Sequence, residues 1–171
     1  MMRKTLVLLF LLILVGARAP RAEVIDRIMA VVDGQTITLS DVNAAIQFRE
    51  VQPPPGTPDA VGFTLNRLIE RTLMLAEVDR FQPPEPDPSE IAVRLEDLQK
   101  RAGSDAAFDK QFSVTGTTRD HLRRSIRDDL RITTYLNQRF GAASTEREAA
   151  IATWIGELRR RADVALVYVA K

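Results

Sequence analysis

The 171 residues contain no cysteine and a single histidine, His121. Without cysteine there is no disulfide, no thiolate nucleophile, no Cys-ligated zinc or iron–sulfur cluster, and no thiol to carry a lipid anchor. One imidazole excludes every centre that needs two, zinc-peptidase motifs included. Aromatic residues are sparse, 6% of the chain with one tryptophan. No glycine-rich loop opens a helix after a strand, so there is no phosphate cradle and no nucleotide use is expected. What is present is 45% hydrophobic and 27% charged residues, enough to bury a core and too apolar for a disordered tail. The length suits one ordinary domain, or one with a small appendage.

Arg3 and Lys4 precede an unbroken apolar run from Leu6 to Val15, and the small residues Gly16, Ala17 and Ala19 follow. This is the layout of a secretory signal peptide, with an apolar run about half the ~20 residues that a bilayer-spanning helix takes. Cleavage after Ala22 keeps Pro20 from standing directly behind the cut. Cleavage after Ala19, which satisfies the small-x-small rule with Ala17, is the alternative. Residues 1–22 are therefore expected to be a signal and 23–171 an exported domain without a stable membrane span. Arg3, Lys4, Arg18 and Arg21 leave with the signal, so 20 basic residues face 23 acidic ones and the charge becomes −3. Nucleic-acid binding loses its electrostatic warrant.

In the mature chain, Val24 to Val32 is apolar and β-branched, and Asp33-Gly34 separates it from Gln35 to Thr38. Aspartate–glycine between such runs predicts a two-residue hairpin, because both turn positions need positive φ. Ser40 is expected to cap a helix from Asp41 that stops before Pro53. Residues 59–80 carry Leu65, Leu68, Ile69, Leu73 and Ala76 at helical spacing. Asp87-Pro88-Ser89-Glu90 opens a further helix that runs to Gly103. A short helix with Phe108 and Phe112 follows. The longest begins at Thr117 or Thr118 and ends at Gly141. A capping box from Thr145 to Glu148 opens the last, which carries Trp154 and Leu158. Val164 to Val169 reads as a strand with no sequence neighbour. Its backbone groups need partners, and the only other strands lie at the opposite end. The predicted fold is α+β: a mainly helical body of about five helices, with a small antiparallel sheet combining the N-terminal hairpin and the C-terminal strand.

The run Val24-Ile25-Asp26-Arg27-Ile28-Met29-Ala30-Val31-Val32-Asp33-Gly34-Gln35-Thr36-Ile37-Thr38-Leu39-Ser40-Asp41-Val42 resembles the opening of the SurA family of periplasmic chaperones. Leu68 to Ala76, Leu122 to Leu130 and Trp154 to Val169 are similar to that family's second helix, long amphipathic helix, and closing helix and strand. The resemblance spans almost the whole mature chain. It implies that the closing strand returns to the opening sheet and that the protein is a folding factor for clients such as outer-membrane proteins. One departure is large. Where the family usually carries parvulin prolyl isomerase domains, only Ala142 to about Ala150 is found here, far short of a minimal domain of ~50 residues. The resemblance therefore implies chaperone-type binding without isomerase activity.

No residue pattern points to catalysis, a metal or a cofactor. His121 lies near Asp120 and Asp128 but reads as a solvent-side residue of a charged helix. Asp128 and Asp129, adjacent on a helix, point about 100° apart and do not converge on a cation. They are expected to pair with Arg124, Arg127 or Arg131, and the basic sector Arg119 to Arg131 reads as a solvated, ion-paired face. What remains is binding through apolar surface. Phe63, Met74, Phe81, Phe108, Phe112, Tyr135 and Phe140 exceed what the apolar stripes need. They fill the core, or some of them line a groove between helices for extended, unfolded polypeptide, where a flexible methionine suits varied partners. A dedicated adaptor or dimerisation module of the cell envelope is the alternative function, with exchange of terminal strands as an easy route to a homodimer.

Overall fold

The computed structural model describes residues 26–169. The expected signal and both candidate cleavage positions, Ala19 and Ala22, lie outside the described residues. Strands β1 (Ile28–Val32) and β2 (Gln35–Thr38) form the expected hairpin. Asp33 and Gly34 turn it with φ of 48° and 83°, both in the left-handed region. The pairing starts at Val32 with Gln35 and shifts register between Ile28 and Ala30, a β-bulge. The last strand, β3 (Val164–Leu166), pairs antiparallel with β1, giving the order β2-β1-β3. The two ends of the described chain thus meet in one sheet. The hairpin turn is tied in too: the Asp33 N–H donates to the Asp163 carbonyl at 2.9 Å, and the Asp163 N–H donates to Asp33 Oδ1 at 2.9 Å.

β3 is shorter than the apolar run suggests. The N–H groups of Val167 and Tyr168 both donate to the Met29 carbonyl at 3.0 Å. Two donors on one acceptor break the ladder's alternation, so regular pairing stops at Leu166 although the chain still follows β1.

Six helices complete the fold: α1 (Leu39–Gln47), α2 (Ala60–Phe81), α3 (Pro88–Ala102), α4 (Asp105–Thr115), α5 (Arg119–Phe140) and α6 (Thr145–Arg161). The short helix expected around Phe108 and Phe112 is α4, which Ser104 caps after Gly103, at φ 86°, has stopped α3. Two caps differ from the sequence reading. α1 is capped by Thr38, not Ser40: Thr38 Oγ1 accepts from the Asp41 N–H at 3.3 Å, and Asp41 Oδ2 accepts from the Thr38 N–H at 2.8 Å. The strand leads straight into the helix, so its last extended residue takes the cap, and the Ser40 N–H instead donates to Asp26 Oδ1 at 3.2 Å. α6 is capped by Ser144, one residue before the expected Thr145, through the Arg147 N–H. Thr38→Ala is expected to cost about 1 kcal/mol of stability, and Ser40→Ala less. Urea midpoints of the two variants check the assignment.

The interior has two parts. The larger packs the sheet against α2, the C-terminal half of α5, and α6, around Met29, Val42, Ile69, Leu73, Ile132, Trp154 and Leu158. The smaller lies among α1, α3, α4 and the N-terminal half of α5, around Ala44, Phe48, Phe108, Leu122 and Ile126. Ile91, Leu95 and Leu98 of α3 only half-bury against it, and α3 has no fully buried residue. α3 therefore flanks the body rather than crossing it. Its outer neighbour α4 is held more firmly, by Phe108.

Candidate functional site

The seven residues proposed as peptide-binding do not form one groove. Phe108 is completely enclosed, and Tyr135 is buried with its ring 5.3 Å from Phe81 and 5.7 Å from Trp154. Both are core residues, so neither lines a surface. Phe112 is half-buried against Phe48 and Phe108, ring centroids 5.0 and 5.1 Å away, with the Arg119 guanidinium over its face. Met74 and Phe140 pack, half-buried, on the larger core, Phe140 at 5.6 Å from Trp154. Phe63 is half-buried beneath the Arg67 guanidinium. Of the seven, Phe81 alone is exposed, at 60%. Helical spacing puts these residues on particular helix faces but is silent on which neighbouring helix covers them.

The exposed apolar surface lies elsewhere. Ile28 on β1, Leu166 at the end of β3, and Val167 and Val169 just after it are all exposed. Phe81, Val93 and Val114 stand apart from them on three different helices. Among the described residues no strand lies beyond β3. Its outer row of N–H and C=O groups therefore has no ladder partner, the state that invites another extended chain. The segment after β3 is held in place, since the Tyr168 hydroxyl donates to Asp59 Oδ1 at the start of α2, 3.0 Å away. The sequence reading found the strand and its return to the opening sheet but did not say which of its edges stays open. An edge strand three residues long cannot be told from a central one by composition.

A polar cluster sits between the two interior parts. Arg71 on α2 donates from Nε to Asp129 Oδ1 at 2.6 Å and from Nη2 to the Ser125 carbonyl at 2.9 Å, both on α5. The Ser125 hydroxyl donates to Glu50 Oε2 at 3.2 Å. Glu50 belongs to the α1–α2 connection. Burial, reinforced by the Asp129 charge, pushes its carboxyl up to about 7 against the pull of Arg71. Burial also raises Asp128, although Arg71, Arg127 and Arg131 oppose it.

Glu50 and Arg71 line a cavity of about 240 Å³ that also takes in Asp41 and His121. His121 Nε2 is 3.6 Å from Asp41 Oδ1, so it faces α1 and not Asp120 or Asp128. The basic sector is ion-paired at three positions. Arg119 pairs with Asp109, Arg127 with Glu85 and Asp128, and Arg131 with Asp79. Asp129 finds Arg71, a partner 58 residues away that local spacing does not show. Among the described residues no three His, Cys, Asp or Glu side chains gather to hold a metal, and no helix is long and apolar enough to cross a membrane.

No family model and no curated protein matches the chain.

Proposed function

We propose that this chain is an ATP-independent, non-catalytic chaperone module of the periplasm, SurA-like in kind, that shields extended apolar segments of unfolded polypeptide, outer-membrane proteins among them. The observation that carries the reading is the open edge of β3 with its exposed Leu166, Val167 and Val169. An extended client adds a strand there. Main-chain hydrogen bonds ignore its sequence, and the aliphatic side chains favour apolar residues. The edge is short, so each contact is weak and the client leaves when folding withdraws its apolar side chains. Neither nucleotide nor cofactor is needed. Proline isomerisation forms no part of the proposed activity.

At stoichiometric concentration the protein is expected to slow the aggregation of an unfolded client, followed by light scattering. Lysine at Leu166 and Val169, exposed positions that leave the core intact, is expected to abolish most of that effect, because a charged edge repels added strands. No slowing by the unmodified protein overturns the reading.

The same edge also suits a second copy of the chain, which supports the adaptor or dimerisation reading. A concentration-dependent dimer that the lysine variant dissociates, together with no effect on aggregation, selects it.

A further inference from the structure

A groove runs between α3 and α5 and shares Phe48 and Glu50 with the cavity described above. Its volume is about 280 Å³, and a continuation of about 160 Å³ leads on toward α4. The floor is apolar: Phe48, Leu98, Ile126 and Leu130. The rim is cationic, with Arg49 from the α1–α2 connection and Arg94 and Arg101 from α3. Arg49 and Arg101 also line the continuation, so the two spaces share one wall.

The three rim cations are not neutralised by a neighbouring carboxylate. Arg71, Arg127 and Arg131 each hold a carboxylate within 4.0 Å, whereas Arg49, Arg94 and Arg101 make no ion pair among the described residues. The two acids that line the groove leave its charge positive. Asp129 is already bound by Arg71, and Glu50 is hydrogen-bonded to Ser125. Arg49 also sits at φ 57°, a backbone state that a glycine adopts more easily, yet a long cationic side chain occupies it. The chain as a whole is near neutral, with 24 basic and 23 acidic residues. Three free guanidinium groups around one apolar floor are thus a local excess and do not reflect the general composition.

We propose that this groove docks an extended polypeptide segment in which apolar side chains alternate with aspartate or glutamate. The apolar side chains would fill the floor. The side-chain carboxylates would take the rim arginines, whose planar forks match carboxylate geometry. Successive side chains of an extended strand point to opposite sides, so a strand lying edge-on along the groove turns one row toward Ile126 and Leu130 of α5 and the other toward Arg94 and Arg101 of α3. The inference rests on the polypeptide-binding reading above and adds to it a preferred client chemistry and a second contact surface, separate from β3.

The test uses the purified protein and three short fluorescent peptides of the same apolar residues. The first alternates leucine with aspartate and has both ends blocked. The second replaces aspartate by asparagine, and the third is the asparagine peptide with a free C-terminal carboxylate. The aspartate peptide is expected to bind about tenfold more tightly than the blocked asparagine peptide, with affinity that falls as salt rises. The double variant Arg94→Gln/Arg101→Gln is expected to remove that tenfold preference and leave the asparagine peptide unchanged. Both positions are exposed and unpaired, so the thermal transition should stay in place, and Arg49→Gln supplies an independent variant.

Equal binding of the two blocked peptides, or a preference that survives the arginine variants, overturns the inference while leaving the chaperone reading intact. Tight binding of the free-carboxylate peptide alone overturns it in favour of a chain-terminus site. Displacement of the aspartate peptide by an oligonucleotide that lacks apolar side chains overturns it in favour of unspecific polyanion binding. If no peptide binds, the inference fails, and the scattering experiment judges the chaperone reading separately.

Discussion

Phe108→Ala is expected to cost about 3–5 kcal/mol of stability, a sizeable share of the roughly 5–15 kcal/mol that holds a domain together. Phe108 has no exposed surface. Its ring meets Phe48 edge-on at 5.9 Å and Phe112 at 5.1 Å, and the Arg119 guanidinium lies 5.2 Å from its centroid. Removing the ring leaves a void at the centre of the smaller interior part and takes a partner from each of these groups. The surrounding helices are held at their ends by caps and glycine turns, so they can collapse into the void only partly. Urea unfolding measures the loss, with Phe81→Ala as the control. That ring is 60% exposed and should cost less than about 1 kcal/mol. A loss at Phe108 no larger than the control would mean that α4 does not pack on α1 and α5 as described. The unfolding slope carries further information: a lowered m-value would show α3 and α4 coming away before the sheet and α2.

Glu50 sets the second large expectation, a stability that declines as pH rises. Its carboxyl titrates near 7 in the folded protein against an ordinary value of 4.5. Between those values the folded state keeps a proton that the unfolded chain has released. Stability is therefore highest below about pH 4.5, falls through the interval, and levels off above 7. At about 1.4 kcal/mol per pH unit the full penalty is about 3–4 kcal/mol. Glu50→Gln keeps a hydrogen-bond acceptor for the Ser125 hydroxyl and removes the charge. It should be more stable than the unmodified protein by about that amount at pH 8, and nearly equal to it at pH 4.5. Other carboxylates act in the opposite sense. Glu85, for instance, is held low by its hydrogen bonds to Arg127, so stability linked to it is lost as pH falls. The difference between variant and unmodified protein cancels such contributions and isolates Glu50. Curves that coincide at both pH values would place Glu50 in solvent rather than between α1 and α5.

The local features were legible because their causes are local. Asp33-Gly34 turns the hairpin since both positions need positive φ, and Asp87-Pro88 opens α3 since an aspartate cap and a proline both suit a helix start. Leu65, Leu68, Ile69 and Leu73 are buried on α2 as their spacing requires. The return of β3 to the hairpin was legible by elimination, because a strand must find partners and the sequence offers one hairpin to receive it. The cap of α1 was misread by two residues. Both Thr38 and Ser40 are good caps, and the choice fell to the direct passage from β2 into the helix.

The surfaces were much less legible. Phe108 and Phe81 are both phenylalanines near helix ends, yet one is enclosed and the other open, which depends on the helices packed over them. Glu50 follows a short helix in a loop with no pattern to mark it. Its raised titration comes from burial and the Asp129 charge, which outweigh Arg71 and Ser125, and these residues are brought to it across gaps of 21 to 79 positions in the chain. The free arginines of the groove are just as invisible in sequence, where acidic residues at helical spacing stand ready to pair with them.

By itself the amino-acid sequence determined where the helices and strands of this protein lie, which face of each turns inward, and that its two ends must share a sheet. Those properties follow from the periodicity of apolar side chains and from backbone preferences that act over a few residues. Tertiary structure alone decided which aromatic rings are covered, which strand edge stays open, which arginines lack a carboxylate and which carboxyl holds its proton near neutrality. Exposure and electrostatic environment are sums over neighbours in space, and those neighbours come from distant parts of the chain.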